Sequence, residues 1–176
     1  MAALNTTQNK NPLSPLGFRF LIEKLPNVEY FVNTVSLPAV STTFVEQPNP
    51  LGNRLVVPSG RLNYETLTLG FIVDEDMENY RELHNWLLDS THVDNQERFA
   101  SSTVRGQIHG QGTSFYSDAS LIIMTSSQNP NLEVVFENIA PLDISTLEFK
   151  TNDTDVTYLE ASATFVFRRY KINSLQ

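Results

Sequence analysis

Two stretches of this chain alternate strictly between apolar and polar residues. In Leu62–Val73, the residues Leu67, Leu69, Phe71 and Val73 fall on one side, and Tyr64, Thr66, Thr68, Gly70 and Ile72 on the other. In Val156–Ile172, Leu159, Ala161, Ala163, Phe165 and Phe167 oppose Tyr158, Glu160, Ser162, Thr164, Val166 and Arg168. Side chains along a strand point alternately to opposite faces, so a period of two predicts strands. Each strand is expected to rest one face on a core and to turn a small, polar face away from it.

Between these strands the period changes. Met77, Tyr80, Leu83 and Leu87 recur at helical spacing, and Trp86 widens the stripe. Asp74 or Asp76 is the expected N-cap, because acidic groups satisfy and complement the free N–H groups of a first turn. Asp89-Ser90-Thr91 ends the helix. The stripe is expected to pack within the subunit rather than on a neighbour.

Shorter strands are predicted at Phe18–Pro26, with Phe18, Phe20 and Ile22 on one face, and at Asn27–Pro38, the two forming a hairpin. Four more follow the helix: Ala119–Ser126, Leu132–Ile139, Asp143–Phe149 and the long Val156–Ile172. The tetrapeptide "QNPN" between the first two of these is a turn signal. The segment Ser41–Tyr64 carries Pro48, Pro50, Pro58, Gly52 and Gly60. It reads as a punctuated loop with short extended pieces at Thr42–Glu46 and Arg54–Val57. His92–Asp118 is polar, without period, and reads as an irregular loop. Together these predict one antiparallel, mainly β domain with one principal α-helix, a sandwich or barrel, over residues 18–172. A polar arm (1–17) precedes it and a short tail (173–176) follows.

Charge and composition narrow the chemistry. Twenty acidic residues stand against twelve basic ones, a net charge of −8. That argues against a protein that grips nucleic acid, which needs basic patches to displace counterions. It leaves open a surface that nucleic acid passes without sticking. With no cysteine, disulfides, thiolate zinc sites and thiol nucleophiles are excluded. No run approaches the roughly 18–20 apolar residues of a membrane-spanning helix, and no leader segment is expected at the start of the chain.

Candidate chemistry is sparse. "DEDMEN" has acidic density, but a calcium loop beginning at Asp74 would have Asn79 where glycine is needed and Asn85 where the bidentate glutamate belongs. Helix capping is the expected use of those acids. His84 and His92 lack a third ligand, and the glycines around His109 do not open a helix after a strand as a phosphate cradle requires. No nucleophile-elbow or metalloprotease motif is present. No metal, cofactor or catalytic residue is therefore assigned, and the expectation is a protein that is not an enzyme.

The order and flavour of the segments resemble the tail-tube proteins of contractile-tailed bacteriophages, a fold shared with tube-initiating and hub-adaptor proteins of the baseplate. The resemblance rests on "FRFLIEKL", "VSLPA", "YETLTLGFIVDEDMENYRELHNWL", "FENIAPLDISTLEF" and "LEASATFVFRRYKI", and covers about residues 18–172. It implies a subunit that lends strands to a ring-shaped oligomeric β-barrel. Homo-hexameric rings would stack into a tube within the virion. Sheath, baseplate or hub proteins would be the partners, and DNA would pass without specific binding.

On that basis Tyr64, Thr66, Thr68, Glu160, Ser162 and Thr164 are expected to face the lumen. The Pro-rich loop at Gln47, Pro48, Pro50, Leu51, Arg54 and Pro58 is expected to touch an adjacent ring, the sheath or the baseplate, together with the polar Arg98–Ser117 segment and the arm. The alternatives are a single-ring tube initiator or baseplate adaptor with the same fold, and a β-sandwich binding module presenting Trp86, Phe115 and Tyr116 as a platform.

Overall fold

The structure, a computed structural model, describes residues 11–48, 54–90, 116–151 and 158–175. Its architecture is two antiparallel sheets that share one strand, two helices, and a two-stranded ribbon. The strands are β1 (Phe18–Ile22), β2 (Val32–Ser36), β3 (Val40–Pro48), β4 (Arg54–Tyr64), β5 (Leu67–Ile72), β6 (Ser117–Met124), β7 (Pro130–Ile144), β8 (Glu160–Val166) and β9 (Arg169–Ser174). The helices are α1 (Pro26–Phe31) and α2 (Glu78–Asp89).

The 15 residues of β7 belong to both sheets. Its first part, to Ile139, pairs with β6 on one side and β9 on the other, and β1 extends this first sheet beyond β6. Its last part, Ala140–Ile144, pairs with β8, and β5 and β2 complete the second sheet. The transfer happens at Asn138, whose φ of 56° lies in the left-handed region. That conformation bends the strand and coincides with an irregularity in the β6 pairing between Ser117 and Ala119.

The core lies between the inner faces of the sheets and the helices. Leu67, Leu69 and Phe71 from β5 meet Ala161, Ala163 and Phe165 from β8, all buried. Phe20, Leu121, Val134 and Phe136 supply the first sheet's share. These are the apolar halves of the two alternating stretches. Burying one large side chain contributes about 1.5–3 kcal/mol, so these rows outweigh any local propensity.

Helix α2 owes its position to that same term. Leu83 and Trp86 are buried, and Trp86 packs on Phe165 with ring centroids 6.0 Å apart. Tyr80 and Leu87 flank them, partly covered. The stripe is therefore intramolecular. Its first member differs from expectation: Met77 precedes the helix and adopts a left-handed φ of 54°.

Three sequence readings are corrected. Asn27–Pro38 does not form a hairpin with β1. Pro26 stands at the start of α1, where its fixed φ and missing N–H suit a first turn, and β2 follows at the far end of the other sheet. The Pro/Gly-broken segment is not a loop with short extended pieces. It is one continuous hairpin, β3–β4, with Val45 opposite Val57 and Val40 opposite Tyr64. Each strand of a two-stranded ribbon has a free edge, so Pro48 and Pro58 need not cost a ladder bond, and Gly60, at φ 73°, sits within its bulge. Finally, the predicted strand Asp143–Phe149 does not form: its first two residues end β7, which runs on from the predicted Leu132–Ile139, and Ser145–Phe149 are not in a strand, while Val156–Ile172 is broken at Phe167–Arg168 into β8 and β9.

Candidate functional site

The second sheet has one dry face and one wet face. On the wet face Thr68 lies opposite Thr164, Gly70 opposite Ser162, and Ile72 opposite Glu160. From β2, Ser36 pairs with Thr68 and Thr34 with Gly70. Most of these side chains are small and hydroxylated. The rows carry two carboxylates, Glu160 and, opposite Thr164, Asp143; the Oε1 of Glu160 accepts a hydrogen bond from Nδ2 of Asn33 at 3.3 Å. Asn33 is the extra residue of a bulge in the β2–β5 pairing.

Of the residues expected on this face, Thr68, Glu160, Ser162 and Thr164 lie together on it. Thr66 is exposed in the short link between β4 and β5. Tyr64 departs from the row. The strand expected over Leu62–Val73 is interrupted at Glu65–Thr66, so Tyr64 ends the hairpin, and its ring packs on Phe167 (5.5 Å) and Tyr170 (5.4 Å). An aromatic cluster at the β8–β9 corner recruits it, a long-range effect that alternation cannot encode.

Both edges of the wet sheet are bare. Beyond β2 and beyond Ala140–Ile144 of β7, no further strand is hydrogen-bonded among the described residues. Pro141 and the exposed Leu142 lie on the β7 edge. Along the sheet, β2, β5, β8 and β7 alternate in direction, so β2 and β7 run opposite ways.

The hairpin is the second feature. Phe44 is 63% exposed, Val45 55% and Val56 56%. Neighbours in sequence face opposite sides of a ribbon, so it shows apolar groups on both. Pro58 lies in it opposite Phe44, and Gln47, Pro48 and Arg54 close its far end. Pro50 and Leu51 lie outside the described residues, as do residues 1–10 of the arm and 98–115 of the polar segment expected to make contacts.

The acidic junction is structural. The carboxylate of Asp74 accepts the N–H groups of Glu78 (3.1 Å) and Asn79 (3.3 Å), capping α2 from outside its first turn. Asn79, fully buried, donates through Nδ2 to the Ile72 carbonyl at 2.9 Å and accepts the N–H of Tyr80 at 2.7 Å. This amide ties the end of β5 to the start of α2. Sequence reading used it only to exclude a calcium loop. Trp86, only 6% exposed, offers no binding platform. That removes the main support for the binding-module alternative.

On the first sheet, Glu137 of β7 forms ion pairs with Arg169 and, at 2.7 Å, with Lys171 of β9. The hydrogen bond from Arg169, then that from Lys171, holds its carboxyl down at about 2.

A half-wet sheet with two unsatisfied edges, a projecting apolar ribbon and carboxylates engaged in capping and ion pairs define a structural β-protein. The chain belongs to the phage tail tube protein family, whose profile it matches over residues 5–173. It is accordingly a structural component of a virion tail and not an enzyme. No curated protein sequence matches it.

Solved structures agree on the fold. The tube-terminating cap of the anti-feeding prophage is similar with a TM-score of 0.67, at 14% identity and with 99% of each chain covered. The sheath–tube complex of the extracellular contractile injection system PVC gives 0.66, at 14% identity over 94% of each chain. The sheath/tube terminator of the same system gives 0.65 at 17% identity, covering 93% of this chain and 98% of the other.

Proposed function

We propose that copies of this chain join edge to edge through the wet sheet and build the inner tube of a contractile tail. In a ring with cyclic symmetry, β2 of one copy meets the Ala140–Ile144 edge of the next. Because the two edges run in opposite directions, this junction is antiparallel, like every other in the sheet. Closing the ring removes the edges, which otherwise invite uncontrolled pairing. The family resemblance supplies the number, six.

In this arrangement Thr34, Ser36, Thr68, Ser162, Thr164 and Glu160 face the channel. Hydroxyls and a carboxylate keep the wall hydrated and offer no cation to a passing phosphate chain, so DNA slides through without being bound. The β3–β4 hairpin leaves the end of the sheet at which β2 finishes. It carries its apolar groups to an adjacent ring, with sheath and baseplate proteins as further partners.

The observation that carries this reading is the pair of bare, oppositely directed edges on one half-wet sheet. Negative-stain electron microscopy of the purified chain tests it. Rings that stack into tubes are expected for a repeating subunit. Rings that never stack indicate the single-ring initiator or adaptor role. A monomer at high concentration overturns the reading.

A further inference from the structure

We infer that the lateral junction is staggered: β2 of one copy slides past Ile144 of the next and completes Thr146–Lys150 as a further edge strand, with Val35 beside the neighbour's Phe149. The inference rests on the edge-to-edge reading above and deepens it, placing β2 on the continuation of the same β7 edge.

Within one copy Ile144 of β7, Ala163 of β8, Leu69 of β5 and Val35 of β2 stand in one row across the sheet. A sheet closes into a barrel only if its strands tilt, typically by about 35–45°. The four strands of the second sheet, at about 4.8 Å each, span about 19 Å. A tilt in that range displaces each copy against the next by about 13–19 Å, roughly four to six residues of strand. The register of the junction carries this displacement. The neighbour's Val35 must therefore lie several residues from Ile144, on one side or the other.

Only one direction is open. Toward Asn138 the bare edge ends at Ala140, because β6 begins at Ser117, opposite Ile139. A slide of that size would drive the end of β2 into the start of β6. Toward Phe149 no strand stands in the way among the described residues.

The chain beyond β7 suits this use. Ser145 donates its N–H to the Ser162 carbonyl at 2.8 Å. The Ser162 N–H, which a regular ladder would give to the Ser145 carbonyl, goes instead to the Ser145 hydroxyl at 2.8 Å. The ladder stops there, and Thr146–Lys150 make no backbone hydrogen bond to β8 among the described residues.

The segment is nonetheless extended. Glu148 and Lys150, two residues apart, form an ion pair at 2.9 Å, and side chains at that spacing share a side in an extended chain. Leu147 packs against the core, so Phe149 falls on the same dry side, where it is 74% exposed. Val35 belongs to the dry side too. Phe149 is the fifth residue past Ile144, inside the displacement that tilt requires. A segment that finds its backbone partners only in a neighbour becomes a strand by augmentation, and here the same step covers an exposed aromatic ring.

The chain has no cysteine, so engineered pairs read the register directly. V35C/F149C is expected to give, on oxidation, a ladder of covalent multimers ending at the ring. V35C/I144C and V35C/P141C are expected to give none, because the stagger holds those positions beyond the roughly 7 Å that a disulfide spans between Cα atoms. Inside one copy three strand spacings, about 14 Å, separate Val35 from the β7 edge, so any link joins two copies. A second readout needs no substitution and decides the matter if a variant misfolds. In wild-type rings the amides of Thr146–Lys150 should exchange with deuterium about tenfold or more slowly than in chain diluted below assembly. A ladder from V35C/I144C or V35C/P141C, or unchanged exchange at Thr146–Lys150 in rings, overturns the stagger alone. A wild-type chain that stays monomeric overturns the ring reading and this inference with it.

Discussion

The backbone N–H of Asn138 donates to Oδ1 of Asp118 at 2.9 Å. This bond holds the left-handed residue at which β7 crosses from one sheet to the other. Asparagine tolerates that conformation far better than a branched residue does. Asn138→Gly is expected to stay within about 0.5 kcal/mol of wild type, because the backbone bond survives and glycine accepts positive φ. Asn138→Val is expected to lose about 1–3 kcal/mol from strain. Chemical denaturation of the two variants separates them, and equal losses would refute the role of φ.

Asn79→Ala tests the amide that joins β5 to α2. The Ile72 carbonyl and the Tyr80 N–H would lose their partners in a buried setting. At about 1–3 kcal/mol per stranded group, a loss of about 3 kcal/mol is expected. Far-ultraviolet circular dichroism during denaturation should show α2 loosening first. A loss below 1 kcal/mol would mean that water replaces the amide.

Gly70 of β5 lies against Thr34 and Asn33 of β2. A Cβ there would stand 2.2 Å from Oγ1 of Thr34 and 3.0 Å from Oδ1 of Asn33. Gly70→Ala is therefore expected to destabilise by about 1–2 kcal/mol, typical of overpacking. Thr34→Ala in the same chain should recover most of it. A double-mutant cycle with no coupling would show that Thr34 moves aside freely.

The Glu137 cluster gives the stability curve an acid limb. Its carboxyl is held at about 2 in the folded chain against an ordinary 4.5. The native state therefore favours the charged form, and this contribution is complete above about 4.5. It is lost progressively as pH falls from 4.5 through about 2. Glu137→Gln should flatten the melting temperature over that window. Added salt should shrink the difference, because the cluster is partly exposed. A variant whose melting curve keeps the wild-type slope below pH 4.5 would assign the acid limb to other carboxylates.

Phe44→Ser and Val56→Ser remove exposed apolar groups from the hairpin and should leave monomer stability within about 0.5 kcal/mol, as for surface positions. If the hairpin joins rings, the pair of substitutions shortens or abolishes tubes while single rings persist. Tubes of unchanged length in electron micrographs would assign the hairpin another partner.

Legibility in the sequence followed physical range. The alternation at Leu67–Ile72 and at Ala161–Phe165 and the stripe of Leu83 and Trp86 are local patterns with one dry side, and all three read correctly. The hairpin did not, because Pro48, Pro58 and Gly60 act as breakers in a packed sheet but not in a ribbon with free edges. Pro141 misled in the same way: it lies on a bare edge, so β7 runs through it. The break at Phe167–Arg168 was invisible because alternation continues across it, while the partner stretch of β7 changes. Asn79 carried no local sign, since its importance lies in three groups that only folding assembles.

The sharing of β7 has a mechanical consequence. Two layers held only by side-chain contact can slip or peel under load. Here a tug on the first sheet travels along covalent backbone, through Asn138, into the hydroxyl-bearing second sheet. Shear between the layers must therefore stretch peptide bonds or tear a ladder lengthwise, which makes the subunit behave as a single stiff block when the assembly around it is driven or compressed.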